Sequence, residues 1–274
     1  MNATRALLKS SSSTRWLARQ SRDPFVKSRG GAYRARSAFK LKDLAGKYPI
    51  LGRRVVDLGA APGGWSQVAA EKQRQFRGKG VVVAVDLLPM EAMPGVEVVT
   101  GDFFDTGVQS RVLELLRAAP RSWARLGQKD EQGGNAEAAD KEGASSTAEM
   151  ADTGLADCVL SDMMASMSGI RDRDVAASLD LVSAATWLAH QVLRSKDDEY
   201  AGGSLVYVPH RESSSADISL KFFMHPELVD FRKKQLEPYF FKVVTDKPAS
   251  SRKESAEAYW VCLGYKGGWV PEEV

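Results

Sequence analysis

The chain has 274 residues, of which 43% are hydrophobic and 27% are charged, and its formal net charge is +3. This is ordinary globular composition, which excludes collagen-like and wholly disordered chains and leaves room for one large domain or two small ones. Its two cysteines, Cys158 and Cys262, are too few for a disulfide framework, and no apolar run approaches the ~20 residues of a membrane-spanning helix, so we expect a soluble protein without membrane contact.

Positive charge is concentrated at the N-terminus. Residues 1–54 hold fourteen Lys and Arg against two Asp, a balance of +12, so the other 220 residues sum to −9. Residues 1–22 are rich in Arg and Ser and contain no acidic residue, which is typical of a transit segment and predicts a mitochondrial matrix address. An N-terminal arm that binds RNA has the same composition and is the alternative.

Residues 23–53 are predicted to form a basic extension that ends in a helix. Ser37 is a suitable N-cap, and apolar residues recur at helical spacing until Gly46. Lys40 shares a face with Leu41 and Leu44, so it either snorkels past the apolar stripe or faces a site.

Strands and helices alternate from residue 54, which predicts an α/β fold with a parallel sheet. The expected strands are residues 54–58, 81–85, 96–100, 158–160 and 205–208. The expected helices are residues 65–70, 108–118, 174–193, 218–223 and 226–236. Two further β-rich runs, 240–245 and 258–263, have no helix between them and are expected to form a terminal antiparallel hairpin at one sheet edge. The result is a seven-stranded, mostly parallel sheet in one domain, residues 54–266, followed by a tail, residues 267–274.

Residues 127–154 interrupt this alternation. They contain seven acidic residues and two lysines, and Met150 is their large apolar residue. Such a segment is expected to be a disordered, low-complexity insertion without a catalytic role.

The segment VDLGAAPGGW, residues 56–65, joins the first strand to its helix through a glycine-rich turn. A dinucleotide fingerprint needs glycine at positions 59, 61 and 64, and the alanine at position 61 disfavours a nicotinamide-dependent oxidoreductase. Pro62, Gly63 and Gly64 form a rigid turn without bulky side chains, which suits a nucleoside with a short amino-acid tail. A glycine turn without a ligand is the alternative.

Carboxylates follow the next two strands, at the edge of the sheet where open α/β folds bind ligands. Asp86 is suited to accept hydrogen bonds from ribose hydroxyls, and Asp102 from an adenine amino group. With the glycine turn they predict an S-adenosylmethionine pocket, whereas no histidine pair has metal-binding spacing. The predicted cofactor-binding residues are Asp57, Gly59, Pro62, Gly63, Gly64, Trp65, Asp86, Asp102 and Asp162. For Trp65, packing against the sheet is an equal alternative.

Several motifs in this order resemble the FtsJ/RrmJ family of ribosomal RNA 2′-O-methyltransferases. They are DLGAAPGGWSQ (57–67), VDLLPM (85–90), GDF (101–103), SDM (161–163), MSG (167–169) and SRKESAEAYWV (251–261). The resemblance covers residues 33–266 apart from the insertion. It implies a Rossmann-like methyltransferase fold, S-adenosylmethionine as methyl donor and a ribose of large-subunit ribosomal RNA as acceptor.

The transit-like N-terminus adds a likeness to the mitochondrial branch of this family, which modifies a uridine in the peptidyl-transferase region. The partners that this implies are mitochondrial large-subunit ribosomal RNA and the assembling large ribosomal subunit. We expect a monomer apart from the ribosome.

The family surrounds its acceptor with a Lys-Asp-Lys-Glu set, in which the second lysine assists deprotonation. Lys40, Asp162 and Glu257 match three of these catalytic positions, whereas Val208 stands where the second lysine belongs. The tripeptide 164–166, Met-Ala-Ser, also departs from the family's Ala-Pro-Asn.

Two functions follow from these departures. The first is an active methyltransferase with a remodelled proton-transfer site, to which Tyr207, His210 or Arg211 contributes. The second is a catalytically degenerate ribosome assembly factor that binds ribosomal RNA without methylating it.

Two further predictions concern side chains outside this set. A basic cluster interleaved with aromatic residues is suited to track a phosphate backbone, a solvated helix face being the alternative. The cluster consists of Arg29, Arg34, Arg36, Lys40, Lys42 and Lys47, with Tyr33, Phe39 and Tyr48. His190, on the long helix, is expected to be a surface or core residue.

Overall fold

The computed structural model describes residues 33–76, 80–118, 154–163, 170–195, 204–207, 226–251 and 258–270. Several predicted features lie outside the described residues. They are the transit segment, residues 127–153 of the insertion, the helix at 218–223, and residues Val208, His210, Arg211 and Glu257. Among the described helices, none is long and apolar enough to cross a membrane.

Seven strands form a single sheet in the described part of the chain. They are β1 (Arg54–Leu58), β2 (Val81–Asp86), β3 (Val96–Thr100), β4 (Cys158–Ser161), β5 (Ser204–Tyr207), β6 (Phe240–Asp246) and β7 (Tyr259–Tyr265). Their order across the sheet is β3-β2-β1-β4-β5-β7-β6. The first five are parallel, and β7 lies antiparallel between β5 and β6. The predicted α/β fold class and terminal antiparallel pair are thereby confirmed.

The central strands are apolar because helices cover both faces of the sheet. Every residue of β1 and β4 is buried, which is the burial expected of parallel strands. The helices are α1 (Ser37–Lys47), α2 (Gly64–Gln73), α3 (Thr106–Ala118), α4 (Arg171–Val192) and α5 (Pro226–Phe231). Helices α1 and α2 pack on one face, and α3, α4 and α5 pack on the other.

Most element boundaries differ from those predicted, and three of the differences concern helix ends and the insertion. Helix α1 is preceded by Arg36 as its N-cap, and Ser37 is its first helical residue without a side-chain cap. The predicted helix at 226–236 changes at Arg232 into a π-helical turn, Arg232–Leu236. Gly154, the last residue of the predicted insertion, is packed against Arg194, whose backbone a Cβ at position 154 would overlap.

Candidate cofactor and active site

The loop between β1 and α2 is closed by glycines in the left-handed region of backbone conformation. Gly59 has a φ of 72° and Gly63 a φ of 107°, which residues with a Cβ rarely adopt. A Cβ on Gly59 would also lie 2.7 Å from Met163 Cγ and 3.1 Å from Met163 Cα. We call residues 59–64 the cofactor loop; its shape depends on glycine at both positions.

Asp86, at the end of β2, joins the cofactor loop to the next loop along the sheet. Its Oδ2 accepts the Ala61 N–H at 2.8 Å, and its Oδ1 accepts the Leu88 N–H at 2.8 Å. Burial raises the pKa of Asp86, while backbone hydrogen bonds from residues 61, 87 and 88 oppose the increase. Each carboxylate oxygen has a second lone pair, so the side chain retains capacity to accept ligand hydroxyls.

Asp57, at the end of β1, is fully buried beneath the cofactor loop. Its Oδ2 accepts the Ser66 hydroxyl at 2.6 Å, and its Oδ1 has no hydrogen-bond partner among the described residues. Burial raises the pKa of Asp57 to about 7; the hydrogen bond from Ser66 opposes this, and the charges of Asp162 and Asp86 add to it. The structure therefore brings three acidic side chains together at the carboxyl edge of the sheet.

Asp102 lies at the same edge, one strand further out. It follows β3, whose Thr100 pairs with Asp86 in the parallel register. Its side chain is exposed, and its Oδ1 accepts the Phe104 N–H at 3.0 Å. Contact of Asp102 with the base of a nucleoside stays a prediction.

Trp65 has a packing role in the structure. Its side chain is buried, its Nε1 donates to the Ser37 carbonyl at 2.9 Å, and its ring lies 5.6 Å from that of Tyr259. These contacts correspond to the packing alternative. A contact between the Trp65 side chain and a cofactor stays a prediction.

Two of the predicted catalytic residues, Lys40 and Asp162, are carried by separate elements, and the third, Glu257, lies outside the described residues. Lys40 is half-buried on α1, and Asp162 follows β4, with its N–H bonded to the Leu58 carbonyl at 3.3 Å. The Tyr259 hydroxyl lies 3.5 Å from Asp162 Oδ1. Since Trp65 contacts both Tyr259 and α1, a continuous chain of contacts joins the helix of Lys40 to Asp162. Tyr259 lies within the SRKESAEAYWV motif, but its contacts with Trp65 and Asp162 are long-range and carry no signal in the sequence.

The family's second lysine, which this chain lacks, belongs at the sequence position that follows β5, the strand next to β4 and Asp162. The last residue of β5, Tyr207, pairs with Ser161, the residue before Asp162. The family's lysine position directly follows this pair in sequence, at Val208.

The described members of the basic cluster, on α1 and in the turn before it, are largely engaged within the fold, and Arg29 lies outside the described residues. Lys47 forms an ion pair with Asp246 at 2.8 Å, and Lys42 Nζ lies 3.1 Å from the Tyr33 hydroxyl. Arg34 and Arg36 donate to backbone carbonyls. Contact of these side chains with RNA phosphates stays a prediction. Four of the side chains already have hydrogen-bond or ion-pair partners within the fold.

His190 lies apart from this site, in the last turn of α4 on the other face of the sheet. Its side chain is buried, its Nδ1 lies 3.1 Å from the Tyr265 hydroxyl, and its ring stacks on Trp269 with centroids 4.9 Å apart. Burial lowers the pKa of His190 to about 4, and the Gln235 backbone opposes the decrease. The two predicted alternatives were a surface residue and a core residue, and in the structure His190 is a core residue.

Comparison with known proteins identifies the family of this chain. The FtsJ-like methyltransferase family matches residues 33–265. Ribosomal RNA large subunit methyltransferase E of Rhodopseudomonas palustris (strain TIE-1) is 35% identical over 260 residues, covering 94% of this chain and 86% of the relative. The protein of that name from Methanothermobacter thermautotrophicus is 36% identical over 258 residues, covering 92% and 94%.

The fold is shared with a solved structure. A ribosomal RNA methyltransferase from Plasmodium falciparum superposes with a TM-score of 0.57 at 21% identity, covering 86% of this chain and all of the other.

The residues present fit S-adenosylmethionine, the cofactor of this family. The cofactor loop excludes side chains at Gly59 and Gly63, the Asp86 carboxylate retains acceptor capacity, and the buried Asp57 Oδ1 has no donor among the described residues. Both the shape and the acceptors therefore suit an adenosine with an amino-acid tail, and the family match extends over all of these residues. The chain belongs to the FtsJ-like methyltransferase family.

Proposed function

We propose that this protein methylates a ribose 2′-hydroxyl in large-subunit ribosomal RNA, with a uridine of mitochondrial ribosomal RNA as its target. The observation that carries the proposal is the placement of Asp162 beside the cofactor loop: its N–H donates to the Leu58 carbonyl at 3.3 Å, and Met163, the next residue, lies against Gly59. The relatives named above add the substrate class, because they are ribosomal RNA large subunit methyltransferases.

The chain's own residues bind and orient the reactants. S-adenosylmethionine supplies an electrophilic methyl group on a sulfonium. Asp86 and Asp102 hold the nucleoside end, and the turn at Gly63 admits the amino-acid end close to the backbone. Such positioning supplies much of the rate enhancement in a two-reactant displacement.

Proton removal from the acceptor is the weak step. Asp162 contacts Tyr259, and the helix that carries Lys40 contacts Trp65; by the family resemblance both side chains are suited to orient the hydroxyl. Val208 has no group that accepts a proton, and a positioned acid–base group contributes roughly 10²–10⁴-fold to the rate. We therefore expect slow methyl transfer.

The presence of valine at position 208, in place of the second lysine, also favours a second candidate function. A chain that keeps its cofactor loop and RNA-binding surface without the second lysine is suited to serve as a non-catalytic factor in large-subunit assembly. The two candidates share fold, cofactor site and RNA partner, and differ in turnover.

A mitochondrial location is part of the proposal and is supported by the composition of residues 1–22. Fusion of these residues to a fluorescent protein tests it, with a matched fusion in which the five basic residues are replaced by glutamine. Mitochondrial fluorescence of the first fusion alone is expected. Cytosolic fluorescence of both would contradict the address.

The catalytic proposal is tested with ³H-methyl-labelled S-adenosylmethionine and large-subunit ribosomal RNA that lacks the modification. We expect slow incorporation at a ribose 2′-oxygen, loss of incorporation in Asp162→Ala, and faster incorporation in Val208→Lys. The Arg111→Gln variant, altered at an exposed side chain of α3, serves as the control.

Incorporation into a base, or none by either the unmodified chain or Val208→Lys, would contradict a 2′-O-methyltransferase. In the second case, stable association with large-subunit assembly intermediates supports the assembly-factor function. Robust methylation that His210→Ala abolishes would show that a substitute base has replaced the lysine.

A further inference from the structure

Arg34, in the turn before α1, holds a loop on the far side of the cofactor loop. Its Nη1 donates to the Glu91 carbonyl at 2.8 Å, and its Nη2 donates to the Ala92 carbonyl at 3.0 Å. One guanidinium thus binds two consecutive carbonyls with two of its planar donors. A lysine has no fork of this kind.

The rest of Arg34 is tied to the cofactor loop and to α2. Its backbone N–H lies 3.2 Å from Gln67 Oε1 on α2. A Cβ on Gly63 would lie 3.4 Å from Arg34 Cδ and 2.9 Å from Met93 Cε. Arg34 and Met93 therefore lie directly over the glycine that closes the cofactor loop.

The segment that Arg34 binds, residues 87–95, is the β2–β3 loop. It begins immediately after Asp86, which holds it through Leu88, and it ends at a bridge between Met93 and Val96. Arg34 binds the loop at 91–92, between these two attachments. It therefore fixes the middle of the loop that starts at the ribose-facing carboxylate.

We propose that Arg34 is a positioning residue of the cofactor site. Its side chain lies over Gly63 and binds the carbonyls of residues 91–92, and it thereby keeps the β2–β3 loop over the cofactor loop and Asp86 aligned for the ribose of S-adenosylmethionine. This inference rests on the proposed placement of the cofactor at Asp86. It assigns Arg34 to the donor site rather than to an RNA phosphate.

Calorimetric titration of the full chain with S-adenosylhomocysteine tests the assignment. Arg34→Gln is expected to weaken binding roughly tenfold, because two charge-assisted hydrogen bonds are lost. Arg34→Lys is expected to weaken it similarly, because the charge remains while the two-pronged contact does not. Arg111→Gln removes an equal charge from an exposed pair on α3 and is expected to leave the affinity unchanged.

Hydrogen–deuterium exchange separates positioning from a general loss of structure. We expect faster exchange in Arg34→Gln to be confined to residues 87–95 and the cofactor loop. Faster exchange throughout the sheet would contradict a positioning role.

The remaining outcomes distinguish this proposal from the function on which it rests. Equal affinities of the unmodified chain and Arg34→Gln, with weaker RNA binding in the variant, would overturn the assignment in favour of a phosphate contact. Absence of binding by the unmodified chain would contradict the cofactor placement itself, and this proposal with it.

Discussion

At the scale of single residues, Gly63 shows how backbone conformation shapes the site. Its φ of 107° lies in the left-handed region, where a Cβ costs about 1–2 kcal/mol. Gly63→Ala is therefore expected to lower the free energy of unfolding by about that amount and to weaken S-adenosylhomocysteine binding, as measured by urea denaturation and calorimetry.

Gly46 provides the matched control for this substitution. It lies within α1, and a Cβ there would meet nothing within 4 Å. Gly46→Ala is expected to raise the free energy of unfolding by about 0.5–1 kcal/mol, because alanine favours the helix. Equal effects of the two substitutions would contradict the role of the Gly63 turn.

His190 predicts a pH dependence of stability. Its pKa is lowered to about 4 in the folded protein, against about 6.5 in an unfolded chain. Between these values the unfolded state binds the extra proton, so the free energy of unfolding falls as pH decreases from 6.5 toward 4, by at most about 1.4 kcal/mol per pH unit. Urea denaturation at several pH values measures the slope.

His190→Gln is expected to flatten this part of the pH profile because glutamine does not titrate. An equally steep profile in His190→Gln would assign the slope to other groups. The substitution leaves the cofactor loop untouched because His190 lies on the other face of the sheet.

At the scale of elements, α1 holds the loop after β6. The Ser250 N–H donates to Asp43 Oδ2 at 2.7 Å, and the Ser250 carbonyl accepts Arg36 Nη2 at 3.3 Å. Asp246 accepts the Tyr48 hydroxyl at 2.7 Å, and burial, followed by the hydrogen bond to Asp246, raises the pKa of Tyr48 to about 12. The helix that carries Lys40 is thereby attached to the segment that leads to the motif of Glu257.

Asp43→Ala tests this attachment. Loss of a hydrogen bond to a charged acceptor is expected to lower the free energy of unfolding by about 1–2 kcal/mol and to speed amide exchange at Ser250. Asp43→Asn keeps an acceptor oxygen and should lose less. Unchanged amide exchange at Ser250 in Asp43→Ala would show that the contacts of Arg36 and Asp246 are sufficient to hold the loop after β6.

At the scale of the whole molecule, the positive N-terminus is expected to govern RNA affinity. Residues 1–32 contain seven Lys and Arg against one Asp, and Tyr33, the first described residue, donates its hydroxyl to Glu71 Oε2 at 2.8 Å. Deletion of residues 1–32 is therefore expected to flatten the dependence of ribosomal RNA affinity on salt while the domain stays folded.

The slope of log K against log salt, measured by filter binding, checks this prediction. A deletion that extends to residue 36 removes Arg34 and Arg36 with their loop contacts, so it is expected to lower stability as well. An unchanged slope after deletion of residues 1–32 would place the RNA contacts elsewhere on the domain.

The sequence by itself determined the fold class and the chemistry of the cofactor loop. Strands β1 and β3 have the predicted bounds, because short apolar runs between turn residues identify strands. The carboxylates Asp57, Asp86 and Asp102 were predictable at one edge because parallel strands bring their carboxyl ends together.

Only the tertiary structure decided which partners the side chains choose. Trp65 packs on α1, and Arg34 and Arg36 bind backbone carbonyls of loops that precede and follow the site; Arg36 meets Ser250 across 214 positions of sequence. The local sequence pattern cannot predict such pairs, because an arginine side chain can donate hydrogen bonds to an RNA phosphate or to a backbone carbonyl. Folding decides which of these acceptors lies within reach. The insertion of β7 between β5 and β6 likewise depends on long-range pairing, since a hairpin pattern specifies that two strands pair and not which of them meets the rest of the sheet.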